Sequence, residues 1–238
     1  MKFLNDERFA ELLTTNFRET VPYPWSNPGE LLTDEGHRMF VARAPDTALF
    51  RKVFGKSRRY GQASHDRYVL DYADSLPIEP CWHALVAELR GSGYRDFIRQ
   101  LFGVRDFNMQ LHWHYTPDGC SVSPHCDAER KIGSHIFYLN TSDSWLPEWG
   151  GQTVILDDGG RFDPRSAPAF EDFQRQIPVV SVDNHSLIFA RAGHSWHGVR
   201  PIRCPPDRFR KAFIVVFEKQ KRSSWRGAID RLGLRRSA

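Results

Sequence analysis

Residues 4–18 place Phe9, Leu12, Leu13 and Phe17 at helical spacing with polar residues between them, which predicts an amphipathic first helix. The next stretch, 21–60, holds Pro22, Pro24, Pro28 and Pro45 and no sustained period. It reads as connection, with a short helix over 30–40 and a substrate-facing cover as its other possible use. Residues 79–89 predict a second helix, with Pro80 in the first turn, Trp82, Leu85, Val86 and Leu89 on the apolar side, and Gly91 and Gly93 to end it. A short helical turn over 94–101 follows, before Gly103.

From Asp106 the texture changes to short β-branched and aromatic runs broken by Gly, Pro, Asp and Asn. Residues 107–115, 134–140, 152–156, 186–191 and 211–219 are the plainest strands, and at least two more are needed to close two sheets. Helices first and closely spaced strands afterwards predict a mainly β fold, a double-stranded β-helix of jelly-roll or cupin-like type flanked by helices. The expectation is one domain over 1–238: a helical support region at 1–103, a β core at 104–218 and a basic tail at 219–238. Asp157-Asp158-Gly159-Gly160 reads as a turn rather than a metal site.

Composition narrows the class. At 40% hydrophobic and 26% charged over 238 residues, the chain is globular, and 17 Phe with 7 Trp supply bulky core material. No stretch has the apolar length of a membrane span, and Asp6, Glu7 and Glu11 interrupt any leader-like run. A cytoplasmic protein with no membrane association is expected. The four cysteines form no CxxC pair, which favours reduced thiols. The tail from Lys219 has seven basic residues and one acid, so it holds +6 against a formal net +4 and leaves −2 on residues 1–218. A solvated C-terminal helix or frayed end is the preferred reading of that tail, over contact with an acidic partner or nucleic acid.

The chemistry concentrates in HWHYTPDGCSVSPHCD. His125 and Asp127 are two apart, so on an extended backbone their side chains share a face and Cys126 takes the other. A second imidazole from a distant segment would complete a set of two histidines and one carboxylate that leaves neighbouring positions open, an arrangement suited to non-haem Fe(II). The segment GHSWHGVRPI offers both His194 and His197 for that place.

The order HxD, strand, Gly-Gly hairpin, strand, HGVxPI and an arginine-bearing strand resembles the Fe(II)/2-oxoglutarate-dependent oxygenases, in their prolyl-hydroxylase-like branch. The resemblance runs from about Met109 to Phe217. It matches Tyr115 to the tyrosine ten residues before the first ligand, Tyr138-Leu139-Asn140 to the YLN strand end, and Gly150-Gly151 to the hairpin. His197 is selected as distal ligand because Val199 and Pro201 follow it, and His194 becomes a neighbour. Arg210, in RKAFIVVF, is selected to hold the far carboxylate of 2-oxoglutarate, with Arg208 as the competing choice. Tyr115 and Tyr138 are candidate co-substrate contacts.

The resemblance implies Fe(II), 2-oxoglutarate and O2, with ascorbate an optional addition. It implies hydroxylation of an unactivated C–H bond with release of succinate and CO2, and Asp127 argues against halogenation. Peptidyl proline, another peptide or protein, or a small amino-acid-like molecule would be the substrate. Nucleic acid is disfavoured, because RCPPDRFR stands where the demethylase branch has RxNxTxR. The alternative is a metal-binding jelly roll with hydrolase or isomerase chemistry. Oligomeric state is left open.

Overall fold

A computed structural model describes residues 1–220. The reading of the tail lies outside these residues, apart from its first two. Four helices precede the main strands: α1 (Asp6–Leu13), α2 (Asp34–Ala42), α3 (Pro80–Arg90) and α4 (Ser92–Phe102). The first is shorter than its periodicity predicts. The hydroxyls of Thr14 and Thr15 donate to the carbonyls of Glu11 and Leu12 and close the helix, and Phe17 packs from a separate 3-10 turn. The second starts later than expected because Thr33 accepts the N–H of Gly36 and serves as its cap. The turn expected over 94–101 is a full three-turn helix, ended by Gly103 at φ 66°.

Among the described residues, eleven strands make two antiparallel sheets. In chain order they are β1 (Trp25–Ser26), β2 (Arg51–Val53), β3 (Arg67–Asp71), β4 (Asn108–Thr116), β5 (Val122–His125), β6 (Lys131–Tyr138), β7 (Thr153–Asp157), β8 (Arg175–Pro178), β9 (Ser186–Ala190), β10 (His197–Val199) and β11 (Arg210–Glu218). The large sheet runs β1-β9-β6-β11-β4-β3-β2 and the small one β5-β10-β7-β8. Strand formation therefore begins well before Asp106, and β1, β2 and β3 correct the sequence reading. The first two are only two and three residues long, and β3 buries adjacent Val69 and Leu70, so none of them shows a clean alternation.

Both faces of the large sheet are covered. On β11, Phe213, Val215 and Phe217 face the helices, where Trp113 meets Trp82 edge-on at 5.1 Å and Phe213 at 4.8 Å between ring centroids. The alternate residues Arg210, Ile214 and Val216 line a cavity between the sheets. Glu88 of α3 accepts the N–H groups of Phe3 and Leu4, tying the chain's start to the helical layer. No helix among the described residues is long and apolar enough to cross a membrane.

The layer that backs the cavity should govern stability. Phe213 is fully buried, so Phe213→Ala should destabilise the fold by about 3–5 kcal/mol. Val180→Ala, at an exposed position, should stay within about 0.5 kcal/mol. Urea unfolding of both variants measures the difference.

Candidate metal centre and its cavity

β5 and β10 are neighbours in the small sheet, and His125 and His197 sit directly opposite each other in their register. Cross-strand partners share a face, so both imidazoles project into the cavity, with ring centroids 4.4 Å apart. Asp127 follows two residues after His125, just past the strand end. One ligating atom from each of His125, Asp127 and His197 lies within 4.8 Å of the others. Pro124 is tolerated because β5 is an edge strand with an irregular register. Cys126 points away and packs beside Val154, Leu156 and Trp196.

The two histidines are held alike. Nδ1 of His125 lies 3.0 Å from the carbonyl of Ser123, and Nδ1 of His197 lies 3.0 Å from that of Ser195. A carbonyl can only accept, so each Nδ1 carries the proton and each Nε2 keeps its lone pair for the centre. Burial depresses both imidazole pKa values, which keeps the rings neutral. Asp127 resists the opposite effect of burial because the Lys131 ammonium, 2.7 Å away, holds its carboxyl below the usual range. Two neutral imidazoles and a carboxylate are the donor set that Fe(II) takes.

His197 owes its place to its neighbours. The Trp196 carbonyl accepts both the N–H of Leu156 (3.0 Å) and the hydroxyl of Tyr23 (2.9 Å), which pins the entry of β10 from two sides. His194 lies outside the cavity. Its side chain is 44% exposed and its Nδ1 is 3.1 Å from Asp158. The Asp158 carboxylate also accepts the N–H groups of Gly160 and Phe162, so this segment is the turn the sequence predicts.

Arg210 enters the same cavity from the first position of β11. It is 6% exposed and has no carboxylate partner among the described residues. Asn140 brackets it by donating to the carbonyl of Phe209 and accepting the N–H of Lys211. Its Nε donates to the carbonyl of Gly151 (2.6 Å) and its Nη2 to Oγ1 of Thr153 (2.9 Å). The Gly150-Gly151 pair that supplies this carbonyl is not the hairpin that the sequence predicts but a link between the 3-10 turn Pro147–Trp149 and β7. Both residues have positive φ, and a Cβ on Gly150 would come within 2.3 Å of the Pro201 carbonyl. Arg208 is half-exposed beside Asp207 and is absent from the cavity lining.

Tyr138 stands behind Arg210, whose guanidinium carbon lies 5.4 Å from the ring centre, and donates its hydroxyl to Thr153 Oγ1 at 2.9 Å. Thr153 thus accepts from both residues and keeps its own proton for a group in the cavity. The sequence reading passed over it, because a threonine in a strand looks like an ordinary strand former. Tyr115 is not brought to the site. On β4 it is His112, His114 and Thr116 that face the cavity, and the intervening Tyr115 packs on Phe50 with its hydroxyl on the Pro45 carbonyl. Its assignment as a co-substrate contact is corrected by strand parity.

Residues 109–217 match the family model of the 2OG-Fe(II) oxygenase superfamily. Among solved structures, the fold is similar to that of a Pseudomonas putida prolyl-4-hydroxylase at 21% identity and TM-score 0.59, covering 91% of this chain and 99% of that one. It is also similar to a Trichoplax adhaerens prolyl hydroxylase in complex with a hypoxia inducible factor oxygen degradation domain peptide fragment, at 12% identity and TM-score 0.55, with 90% and 88% covered. The non-heme alpha ketoglutarate dependent carbocyclase SnoK from nogalamycin biosynthesis gives 12% identity and TM-score 0.57 over 96% and 90%. No curated protein matches the chain in sequence.

The geometry separates the two candidate distal histidines. In anaerobic Fe(II) titration His197→Ala should lose stoichiometric binding, whereas His194→Ala should keep it to within about tenfold. Dependence on His194 alone would remove His197 from the centre.

Proposed function

We propose, from the match of residues 109–217 to the 2OG-Fe(II) oxygenase family model, that the chain hydroxylates an unactivated C–H bond of a peptidyl or small amino-acid-like substrate. The observation that carries this reading is that one cavity holds both the His125, Asp127 and His197 cluster and the buried guanidinium of Arg210. His125, Asp127 and His197 would hold Fe(II) on one side and leave the remaining positions to face the cavity. With Fe(II), 2-oxoglutarate and O2 bound, the centre supplies the oxidation that places one oxygen atom on the substrate and releases succinate and CO2.

The chain's own residues would do the orienting. Arg210 presents a guanidinium already fixed at Nε and Nη2, and the proton of Thr153 supplies a further donor beside it. Such a pair is suited to the 5-carboxylate of 2-oxoglutarate, which would be gripped by charge-assisted bonds in a water-poor interior. Burial lowers the Arg210 pKa, the expected sign for a cation with no anion beside it. A hydrolase or isomerase built on the same three ligands would have no use for a buried cation at this position.

Screening peptide and metabolite pools with Fe(II) and 2-oxoglutarate tests the activity. A mass gain of one oxygen coupled to succinate supports it, and succinate formation that never couples to any added pool would sink it. Removing one partner of a buried charged pair costs about 3–5 kcal/mol. Arg210→Ala should therefore raise the apparent KM for 2-oxoglutarate by roughly two to three orders of magnitude. Arg208→Ala should change it by less than about tenfold. The reverse order would move the carboxylate grip to Arg208.

A further inference from the structure

The cavity has a second feature that the iron ligands and Arg210 do not use. Its volume is about 460 Å3, and one side of it is the β2–β3 hairpin at the edge of the large sheet with the loop between those strands. Counting all of the lining, six cations face one carboxylate, that of Asp127. This imbalance is local, since residues 1–218 sum to a slight negative charge. Fe(II) and the 2-oxoglutarate dianion cancel one another, so loading the centre leaves the surplus in place.

Three of the six cations have an assignment. Arg51 pairs with Asp71 at 2.9 Å, Lys131 with Asp127 at 2.7 Å, and Arg210 is set aside for the co-substrate. Lys56, Arg58 and Arg67 remain, with no carboxylate within ion-pair distance among the described residues. Asp66 lies on the same hairpin, where one of its carboxylate oxygens accepts the N–H of Gly55 (2.8 Å) and the hydroxyl of Ser64, and it makes no ion pair with Arg67.

Arg67 is aimed rather than loose. Its Nη1 donates to the carbonyl of His65 at 2.5 Å and its Nε to Nε2 of His114 at 3.3 Å, which leaves Nη2 without a partner. Arg58 contacts the His65 ring, and that ring lies 4.7 Å from the ring of His125. The guanidinium thus stands one imidazole away from the metal cluster. Burial lowers the pKa of both arginines, helped by repulsion from Arg67 at Arg58 and from Arg51 at Arg67, and takes that of Arg58 to about 10. Asp127 opposes the shift at Arg58, and Asp66 and Asp71 oppose it at Arg67, but none of them makes an ion pair with either guanidinium. Two part-buried guanidinia with no directly paired carboxylate favour a ligand that brings one.

We propose that the substrate is a small molecule bearing an oxyanion, a carboxylate or a phosphate, which Arg58 and Arg67 grip so that a carbon a few bonds away faces the iron site. This deepens the hydroxylase reading and rests on it. Pockets for small molecules run from about 300 to 1,000 Å3, and here 2-oxoglutarate must share the lower part of that range. The space that remains suits a metabolite rather than a folded partner. Guanidinia suit the task because their planar forks meet carboxylate or phosphate oxygens in pairs. His112 and His114, with ring centres 4.5 Å apart and kept neutral by burial, would supply uncharged polar contacts along the body of the molecule.

The test uses the full chain loaded anaerobically with Fe(II) and 2-oxoglutarate, and isothermal titration calorimetry. The probes are L-aspartate and L-glutamate with their amides L-asparagine and L-glutamine, O-phospho-L-serine with L-serine, and a short acidic peptide. At least one anionic amino acid should bind about tenfold or more tighter than its neutral counterpart. The carboxylate and phosphate arms identify which oxyanion is preferred. That preference should vanish in Arg58→Gln/Arg67→Gln and persist in part in Arg58→Lys/Arg67→Lys, with thermal unfolding confirming that both variants fold. Equal binding of anionic and neutral probes, binding of the peptide alone, no binding of any anionic amino acid, or a preference that survives the glutamine variant would each overturn the proposal. Failure to bind Fe(II) or 2-oxoglutarate, read in separate titrations, would instead overturn the hydroxylase reading.

Discussion

The pairing of β5 with β10 in one register is the constraint on which the site depends. Only with His197 opposite His125 do two imidazoles 72 residues apart in sequence share a face beside Asp127. A slip of one residue would turn one ring into the packed cluster around Trp196. Several unrelated contacts guard against it: the β7 partner on the other side of β10, the Tyr23 hydroxyl on the Trp196 carbonyl, and the bonds from each Nδ1 to the backbone. Arg210 is held with similar redundancy by the Gly151 carbonyl and the Asn140 side chain. The two halves of the site are therefore built by different sheets, and the cavity between those sheets is where they meet.

Burial has two electrical effects there. It strips protons from the histidines, and this favours ligation. It also leaves the cations on the β2 and β3 side with little water to stabilise them, and this favours an anionic occupant. The same low-dielectric space thus prepares the metal site and restricts what can share it.

Much of this was legible in the chain, and the failures have particular causes. The alternation in HCD aligned His125 with Asp127, and the resemblance pointed to Arg210 in RKAFIVVF, which shares its strand face with Ile214 and Val216. Spacing alone could not separate His194 from His197, since that choice depends on which residue lies in β10 and which in the turn held by Asp158. Tyr115 was misplaced because a ten-residue spacing was followed where strand parity should have ruled. His114 shows the cavity face of β4, and its neighbour must show the other. Arg58 and Arg67 gave no signal, because arginines flanking Gly and Ser in a loop read as solvated charge. Only the return of β3 against β4 turns them inward.

The order of the large sheet differs from the order of the chain. Its middle strand, β11, lies between β6 and β4 yet follows every other described strand in sequence. A ribosome that delivers the chain from the N-terminus therefore releases β4 and β6 as two open edges, each with an apolar face, before the residues that join them exist. At about 5–20 residues per second, the roughly 70 residues between the end of β6 and Arg210 keep that gap open for seconds. The helices can dock early on their own contacts. The cavity between the sheets cannot, because its β11 side, with Arg210, is missing until that strand arrives and joins β4 to β6.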